Sequence, residues 1–335
     1  GYALSKAGSD WIEFYILNLK TRNLLKDKIN WVKFSGMSWH GNGFYYTKYP
    51  KPDKNNTLSG RNENSKVFYH LLGTTQDADK LVFFDPKTPR IAPSVATSSD
   101  EKFLFLYKSK GTYGNALFFR DSWNKTEGWD IIVDDYKAEI NIIDHYKGKF
   151  IAHTDRNAPY GRVVLIDPKN PGEEHWLTLL NGNKNEVLNS TTLVGGKLFA
   201  HFTKDVLSIW KVYAPNGDFL YKVDLPGKGI INGFNGHLTD KITWYSFNNF
   251  VTPNGINLDS EIDPIWARER LKNVAIQGGL NPNILLKSDK EIIEGATKYI
   301  RTFKDIPYVF NLGHGLLPET DPDKVDKLIK FYRSY

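Results

Sequence analysis

Along the first two thirds of the chain, apolar and polar positions alternate with a period of two and keep restarting the same pattern. Each restart is an apolar or small-residue stretch, a Gly/Asp/Asn turn, then a second stretch rich in aromatics. Five restarts are readable. They are Phe34–Trp39 into Gly43–Tyr46, Ser94–Thr97 into Lys102–Leu106, Ile140–Ile143 into Lys149–His153, Leu188–Thr192 into Lys197–His201, and Gly229–Phe234 into Lys241–Ser246. A third stretch with its own turn follows the second, as in Val163–Pro168 and Trp210–Asp218. Four strands in each period of roughly 40 to 60 residues predict the blades of a β-propeller, with connecting loops of unequal length. The aromatics of the second and third strands are read as packing between blades.

From about Asn257 the pattern changes to strand, helix, strand, helix. A buried strand Val274–Gly278 leads through the loop Gly279–Pro282 to a helix from Asp289 to Phe303. Ser288 and Glu291 are spaced there as a capping box. A strand Tyr308–Leu312 runs into Gly313-His314-Gly315, and a last helix follows Thr320-Asp321-Pro322 with Val325, Leu328, Ile329 and Tyr332 on one face. A propeller blade contains antiparallel strands only, so this βαβα run marks a second domain. The division expected is 1–256 and 257–335. The fold class is mainly β, an incomplete propeller followed by a βαβα fragment of the kind that builds a TIM (β/α)8 barrel.

Composition narrows the function classes. A chain of 335 residues with 40% hydrophobic content can bury a substantial core. The formal charge is +6 from 44 Lys and Arg against 38 Asp and Glu, scattered without a basic block, so no nucleic-acid partner is expected. The absence of cysteine excludes disulfides, thiolate nucleophiles and Cys-ligated metal sites, and fits a cytoplasmic location or a periplasm without disulfides. No apolar run reaches the ~18 residues of a membrane span, the first residues lack the core of a secretion signal, and no membrane partner is expected. Asn55, Asn124 and Asn189 begin Asn-x-Ser/Thr triplets and are read as turn residues.

Ser9-Asp10-Trp11, the run Trp31–Trp39, the segment Lys66–Thr74 and the run Ser246–Pro253 before Gly255 resemble, in order along several blades, the propeller of prolyl oligopeptidases, S9 serine peptidases. The resemblance spans about Gly1 to Ile256. It implies a seven-bladed propeller that sits over an α/β-hydrolase domain and restricts access to small peptides. By the same resemblance the chain enters part-way through the second blade and stops before the seventh is complete, which would leave unpaired strand edges. Phe34 matches the family's aromatic that reaches into the substrate pocket, and short peptides become the implied partner. The competing reading of Phe34 is a core aromatic near Trp39. The hydrolase signature, Gly-x-Ser-x-Gly or the family's Gly-Gly-Ser-Asn-Gly-Gly, does not occur in this sequence.

The tail carries a second resemblance. Ile262–Arg268, the Gln277–Pro282 run and Phe310–Thr320 are similar to the carboxyl end of uroporphyrinogen decarboxylase, a cofactor-free (β/α)8 barrel of the haem pathway. It implies that His314, flanked by glycines at the carboxyl end of a barrel strand, descends from a substrate contact, with a tetrapyrrole as the implied partner. The family's other substrate groups lie in barrel units that these residues do not include, and an anionic intermediate needs that enclosed cluster of donors.

No other chemistry stands out. No metal or cofactor is expected: the eight histidines are scattered singly, and Asp134-Asp135 and Glu173-Glu174 read as solvated neighbours. The expected protein is a fusion of a peptide-gating propeller with a decarboxylase fragment. It carries no catalytic residue of its own and resembles parts of a serine-type oligopeptidase and of uroporphyrinogen decarboxylase. The alternative is one part of an active assembly of either enzyme, completed by another chain.

Overall fold

The computed structural model describes residues 1–5, 9–52, 61–123, 128–225, 227–248, 256–271, 275–313 and 315–335. Among these the protein is mainly β, and it divides into two compact units. One comprises Gly1–Val223 with Phe234–Thr243, the other Asp224–Gly233 with Trp244–Tyr335.

The first unit is a series of antiparallel sheets. The first sheet holds β1 (Tyr2–Ser5), β2 (Ile12–Leu17), β3 (Leu24–Val32), β4 (Ser38–His40), β5 (Gly43–Lys48), β6 (Lys66–Leu71) and β7 (Lys80–Phe83). Three four-stranded sheets follow. They are β8 (Ala92–Thr97) to β11 (Asp130–Val133) by way of β9 (Phe103–Ser109) and β10 (Asn115–Asp121); β12 (Ile140–Tyr146), β13 (Lys149–Thr154), β14 (Arg162–Ile166) and β15 (Leu177–Asn181); and β16 (Val187–Val194), β17 (Lys197–Lys204), β18 (Leu207–Tyr213) and β19 (Phe219–Lys222). In each of the three, strands adjacent in sequence are adjacent in the sheet, the meander of a propeller blade. The two-stranded sheet of β20 (Ile230–Asn235) and β21 (Trp244–Asn248) falls mostly among the residues of the second unit.

Tight turns set these registers. Lys147 and Gly148 take φ of +49° and +80° between β12 and β13, and Gly195 and Gly196 take +57° and +70° between β16 and β17. Both pairs have the double positive φ whose twist matches a two-residue hairpin.

The sheets are buried on both faces, and β13 shows how. Phe150 and Ala152 point into a core with Phe105, Leu117 and Phe119 of the preceding sheet. Ile151, one residue out of phase, points into the next core with Leu188, Leu198 and Phe202. Period-two alternation thus sends neighbouring residues into different cores. Phe150 is the hub of the first, packing edge-on against Phe103 and Phe105 at 4.9 Å and Phe119 at 5.0 Å.

Polar side chains join the sheets where ladders cannot. The buried Asn115 carboxamide accepts from Ile140 N and donates to Ile140 O, both at 3.0 Å. Within the first sheet, His70 is buried between two carboxylates, with Nε2 3.0 Å from Asp27 Oδ1 and Nδ1 2.7 Å from Asp79 Oδ1. Tyr46 donates to the other Asp79 oxygen at 2.6 Å. One member of each acidic pair read as solvated is in fact used by Arg156. Its guanidinium is bidentate to Asp135 at 2.8 and 2.9 Å, and its Nε donates to Glu173 at 2.6 Å. Sequence neighbours point apart, as expected, but a cation from a distant loop captures one of each pair. Asn189 likewise lies in β16, donating to Thr203 at 2.5 Å, and not in a turn; Asn55 and Asn124 lie outside the described residues.

The tail carries a three-stranded parallel sheet, β22 (Ile256–Leu258), β23 (Ile276–Gly278) and β24 (Tyr308–Val309). Its helices are α1 (Pro264–Arg270), α2 (Asp289–Thr302) and α3 (Pro322–Ser334). Ser288 and Glu291 form the capping box expected for α2, and Asp321 caps α3 with Pro322 at its first turn. Sequence periodicity missed α1, whose Asp263 side chain accepts from Ile265 N and Trp266 N, and the 3₁₀ turn Pro282–Leu286, which begins where the segment read as loop ends. Both are too short for a helical period to show. Leu258, Ile276, Leu280, Ile292, Ala296 and Phe303 form this unit's core.

Two outcomes follow from this packing. Phe150→Ala is expected to destabilise the first unit by about 3–5 kcal/mol, read as a lower urea midpoint at unchanged slope. Hydrogen bonds from the Arg156 guanidinium, with the Lys137 amide, hold the Asp135 carboxyl well below its usual range. A carboxylate depressed in the fold contributes stability that is full above its unfolded value, near 4, and is lost as pH falls through the folded one. Asp135→Asn should therefore flatten the acid limb of a melting-temperature profile below about pH 4, and leave a limb set by Glu173 and the remaining carboxylates.

Candidate functional site

In the first unit, the loops that lead into β4, β8, β12 and β16 fall at one end of the sheets, together with the β9–β10, β13–β14 and β17–β18 connections. Cross-contacts fix this alignment. Thr47 at the end of β5 donates to Pro93 O at the start of β8, and Leu188 N at the start of β16 donates to Tyr160 O in the β13–β14 loop.

Phe34 stands at this end. It does not occupy the strand that its neighbours suggested; the strand begins at Ser38. Phe34 is 73% exposed, with a φ of +52°. A bulky non-glycine residue in the left-handed region is held there by its surroundings. On one side the buried Lys33 sets its ammonium 4.5 Å from the Trp11 ring and donates to Asn62. On the other, Ser35 Oγ accepts from Thr47 N at 2.9 Å and donates to Gly36 O. The core reading of Phe34 is thereby overturned: its ring faces solvent from a pinned loop.

Other exposed apolar side chains occupy the same end. Tyr113 in the β9–β10 loop is 57% exposed and donates to Asp155 at 2.7 Å, a bond that raises its phenol above the usual range. Val206, at the β17–β18 turn, is 87% exposed with a φ of +60°. Between Phe34 and Val206 the sheets hold a cavity of about 460 Å³ lined by Ser94, Tyr107, Tyr113, Asn115, Glu139 and Asn141. Burial pushes the Tyr107 phenol up to about 12, so at neutral pH it stays protonated; its oxygen accepts from Ile142 N at 3.0 Å. A second cavity, of about 350 Å³, is lined by first-strand residues including Asn141, Asn189, Thr191 and Asn235, with His153 from β13.

Apart from Glu139 and Asp155, the groups named at this end are neutral hydrogen-bonding side chains and aromatic surface. Burial lowers the pKa of His153, whose Nε2 lies 3.2 Å from Leu188 O. A Ser–His hydrogen bond does occur, His201 Nε2 to Ser208 Oγ at 3.0 Å, but Ser208 is buried, which withholds its hydroxyl from a substrate. Among the described residues, no group of three or more His, Cys, Asp or Glu side chains could hold a metal ion. Among them, too, no helix is long and apolar enough to cross a membrane.

His314 lies outside the described residues, but its flanks are placed. Gly313 N donates to Leu280 O at 2.8 Å, and a Cβ on Gly313 would come within 2.5 Å of Ser260 N, so this glycine answers a packing demand. Gly315 has open space around it. Both line a cavity of about 620 Å³ whose other walls include Phe310, Leu328, Ile329 and Tyr332, with Phe310 stacked on Tyr332 at 4.8 Å. The face of α3 read from its spacing is the one that lines this cavity.

Comparison with known proteins agrees with this geometry. The family described as "Prolyl oligopeptidase, N-terminal beta-propeller domain" matches residues 1–259, and "Uroporphyrinogen decarboxylase (URO-D)" matches residues 234–335. Prolyl endopeptidases of Elizabethkingia miricola and Elizabethkingia meningoseptica are 35% and 36% identical over 81% and 75% of this chain, but over only 39% and 36% of their own lengths. The chain thus spans less than two fifths of these relatives. A solved structure from a mechanistic study of two prolyl endopeptidases superposes with a TM-score of 0.68 at 27% identity, covering 74% of this chain and 36% of that one. Prolyl oligopeptidase B from Galerina marginata, bound to a 35mer hydrolysis and macrocyclization substrate, gives 0.67 at 25% identity, covering 75% and 37%. Residues 1–259 belong to the N-terminal β-propeller family of prolyl oligopeptidases, followed by a segment similar to uroporphyrinogen decarboxylase.

Proposed function

We propose that residues 1–256 are the peptide-gating, non-catalytic part of a prolyl oligopeptidase, and that residues 257–335 are a carboxyl-terminal fragment of a uroporphyrinogen-decarboxylase-like barrel joined to it. In this reading the sheets are consecutive blades of a seven-bladed type of propeller, and the parallel strands with their helices are units of a (β/α)8 barrel. Peptides are the ligand of the propeller, and Phe34 is the side chain that meets them.

The observation that carries this reading is Phe34 itself: a large aromatic, exposed, on left-handed backbone pinned by Lys33 and Ser35, in a chain of this family. A relative bound to a 35mer substrate supports a peptide as the ligand. No step of peptide hydrolysis is assigned to these residues, because the sequence contains no Gly-x-Ser-x-Gly elbow and a serine needs that strained turn to meet its histidine.

A second reading is favoured by the relatives' lengths. With the chain matching under two fifths of each, the catalytic serine, aspartate and histidine would come from a partner hydrolase segment, and these residues would form the gate of that assembly.

Two measurements test these readings. A short proline-containing peptide titrated into the protein should bind saturably, and Phe34→Ala should weaken it by roughly tenfold, about 1.4 kcal/mol, with an unchanged circular dichroism spectrum. Equal affinity in the variant contradicts the role of Phe34, and absence of binding contradicts the propeller reading. Incubation of the protein with uroporphyrinogen should give no decarboxylated product. Turnover that His314→Ala abolishes would contradict the non-catalytic assignment of the tail.

A further inference from the structure

Where β3 and β5 finish and β6 begins, at the same end as Phe34, the first sheet holds a further cavity of about 610 Å³ whose walls include Trp31, Lys48, Tyr49, Lys51, Lys66 and Phe68. Three ammonium groups border it against one carboxylate, Asp77, and none of the three lysines pairs with a described carboxylate.

Two of these lysines are placed against their own repulsion. Lys48 and Lys66 are direct partners in the antiparallel ladder of β5 and β6, on the same face of the sheet. Like charges directly opposite one another destabilise a ladder. Each ammonium is instead steered onto a ring, Lys48 to 4.5 Å above Phe68 and Lys66 to 4.4 Å above Phe84, while Lys51 lies 5.6 Å from the Trp31 ring. Rings hold the stems without neutralising the charge.

The wall opposite is fixed in advance. Trp31 sits in a bulge of β3 with a φ of +63°. The Gln76 carboxamide pairs with the Asn30 backbone, accepting from its N–H and donating to its carbonyl, both at 3.0 Å. The half-buried Lys48 and Lys66 and the exposed Lys51, without a paired carboxylate among the described residues, border a shaped, aromatic-walled cavity and form a positive site that an anion would complete.

We infer that this cavity binds a compact dianion, a phosphoryl group or a small dicarboxylate, between Lys48, Lys66 and Lys51. The bound anion screens the Lys48–Lys66 repulsion, so ligation and stability of the first sheet are coupled.

Calorimetric titration at low ionic strength with inorganic phosphate and, separately, with succinate tests this. Saturable binding of either supports the site and names its chemistry, and the melting temperature should rise with that ligand. Lys51→Gln, an exposed position that leaves the ladder intact, should weaken binding several-fold, and Lys48→Gln with Lys66→Gln by more than tenfold. The double variant should melt no lower than the wild type without ligand, because the opposed charges are gone. A control pair at exposed positions elsewhere, Lys87→Gln with Lys110→Gln, should change affinity little. Absence of binding by both anions overturns the inference, as does an equal loss in the control pair, which would mean diffuse attraction only.

Discussion

Burial of the sheets on both faces is the constraint from which the rest of the first unit follows. A strand such as β13 must satisfy two cores at once, and period-two alternation does this by sending Phe150 and Ala152 one way and Ile151 the other. Edge-on aromatic packing around Phe150 fills the space between sheets that no backbone ladder bridges. Hydrogen bonds between sheets come from side chains such as Asn115, Arg156 and Thr47 and from backbone contacts such as Leu188 N to Tyr160 O. Because the faces are taken up by packing, the side chains left free for a ligand are those of loops and strand ends, where Phe34 stands.

The sequence was most legible where periodicity and turn chemistry agree. The turn pairs Lys147-Gly148 and Gly195-Gly196 separate apolar runs of strand length, and the observed strands β12, β13, β16 and β17 fall on those runs. The capping box at Ser288 and Glu291 fixed the start of α2 for the same reason, since a local hydrogen-bond pattern is written in adjacent residues.

What stayed hidden depends on pairing across distance. Asp27, His70 and Asp79 converge from separate parts of the first sheet, and nothing near His70 distinguishes it from a solvated histidine. Arg156 gathers Asp135 and Glu173 from two loops in the same way. Phe34 illustrates the converse. Its neighbours form an alternating run that reads as a strand, and the local hydrogen bonds of Ser35 override that propensity. Only the resemblance to a family marked it as a contact residue, and its exposure on left-handed backbone is the physical property that fits that role.

The central claim is that a propeller and a barrel fragment share one polypeptide as separate folding pieces. Limited proteolysis of the purified protein, followed by mass spectrometry, tests this most directly by locating the first cuts. The account predicts early cleavage between Thr252 and Arg268 and a stable core of propeller size. Resistance of the whole chain, with no cut in that interval, would contradict it.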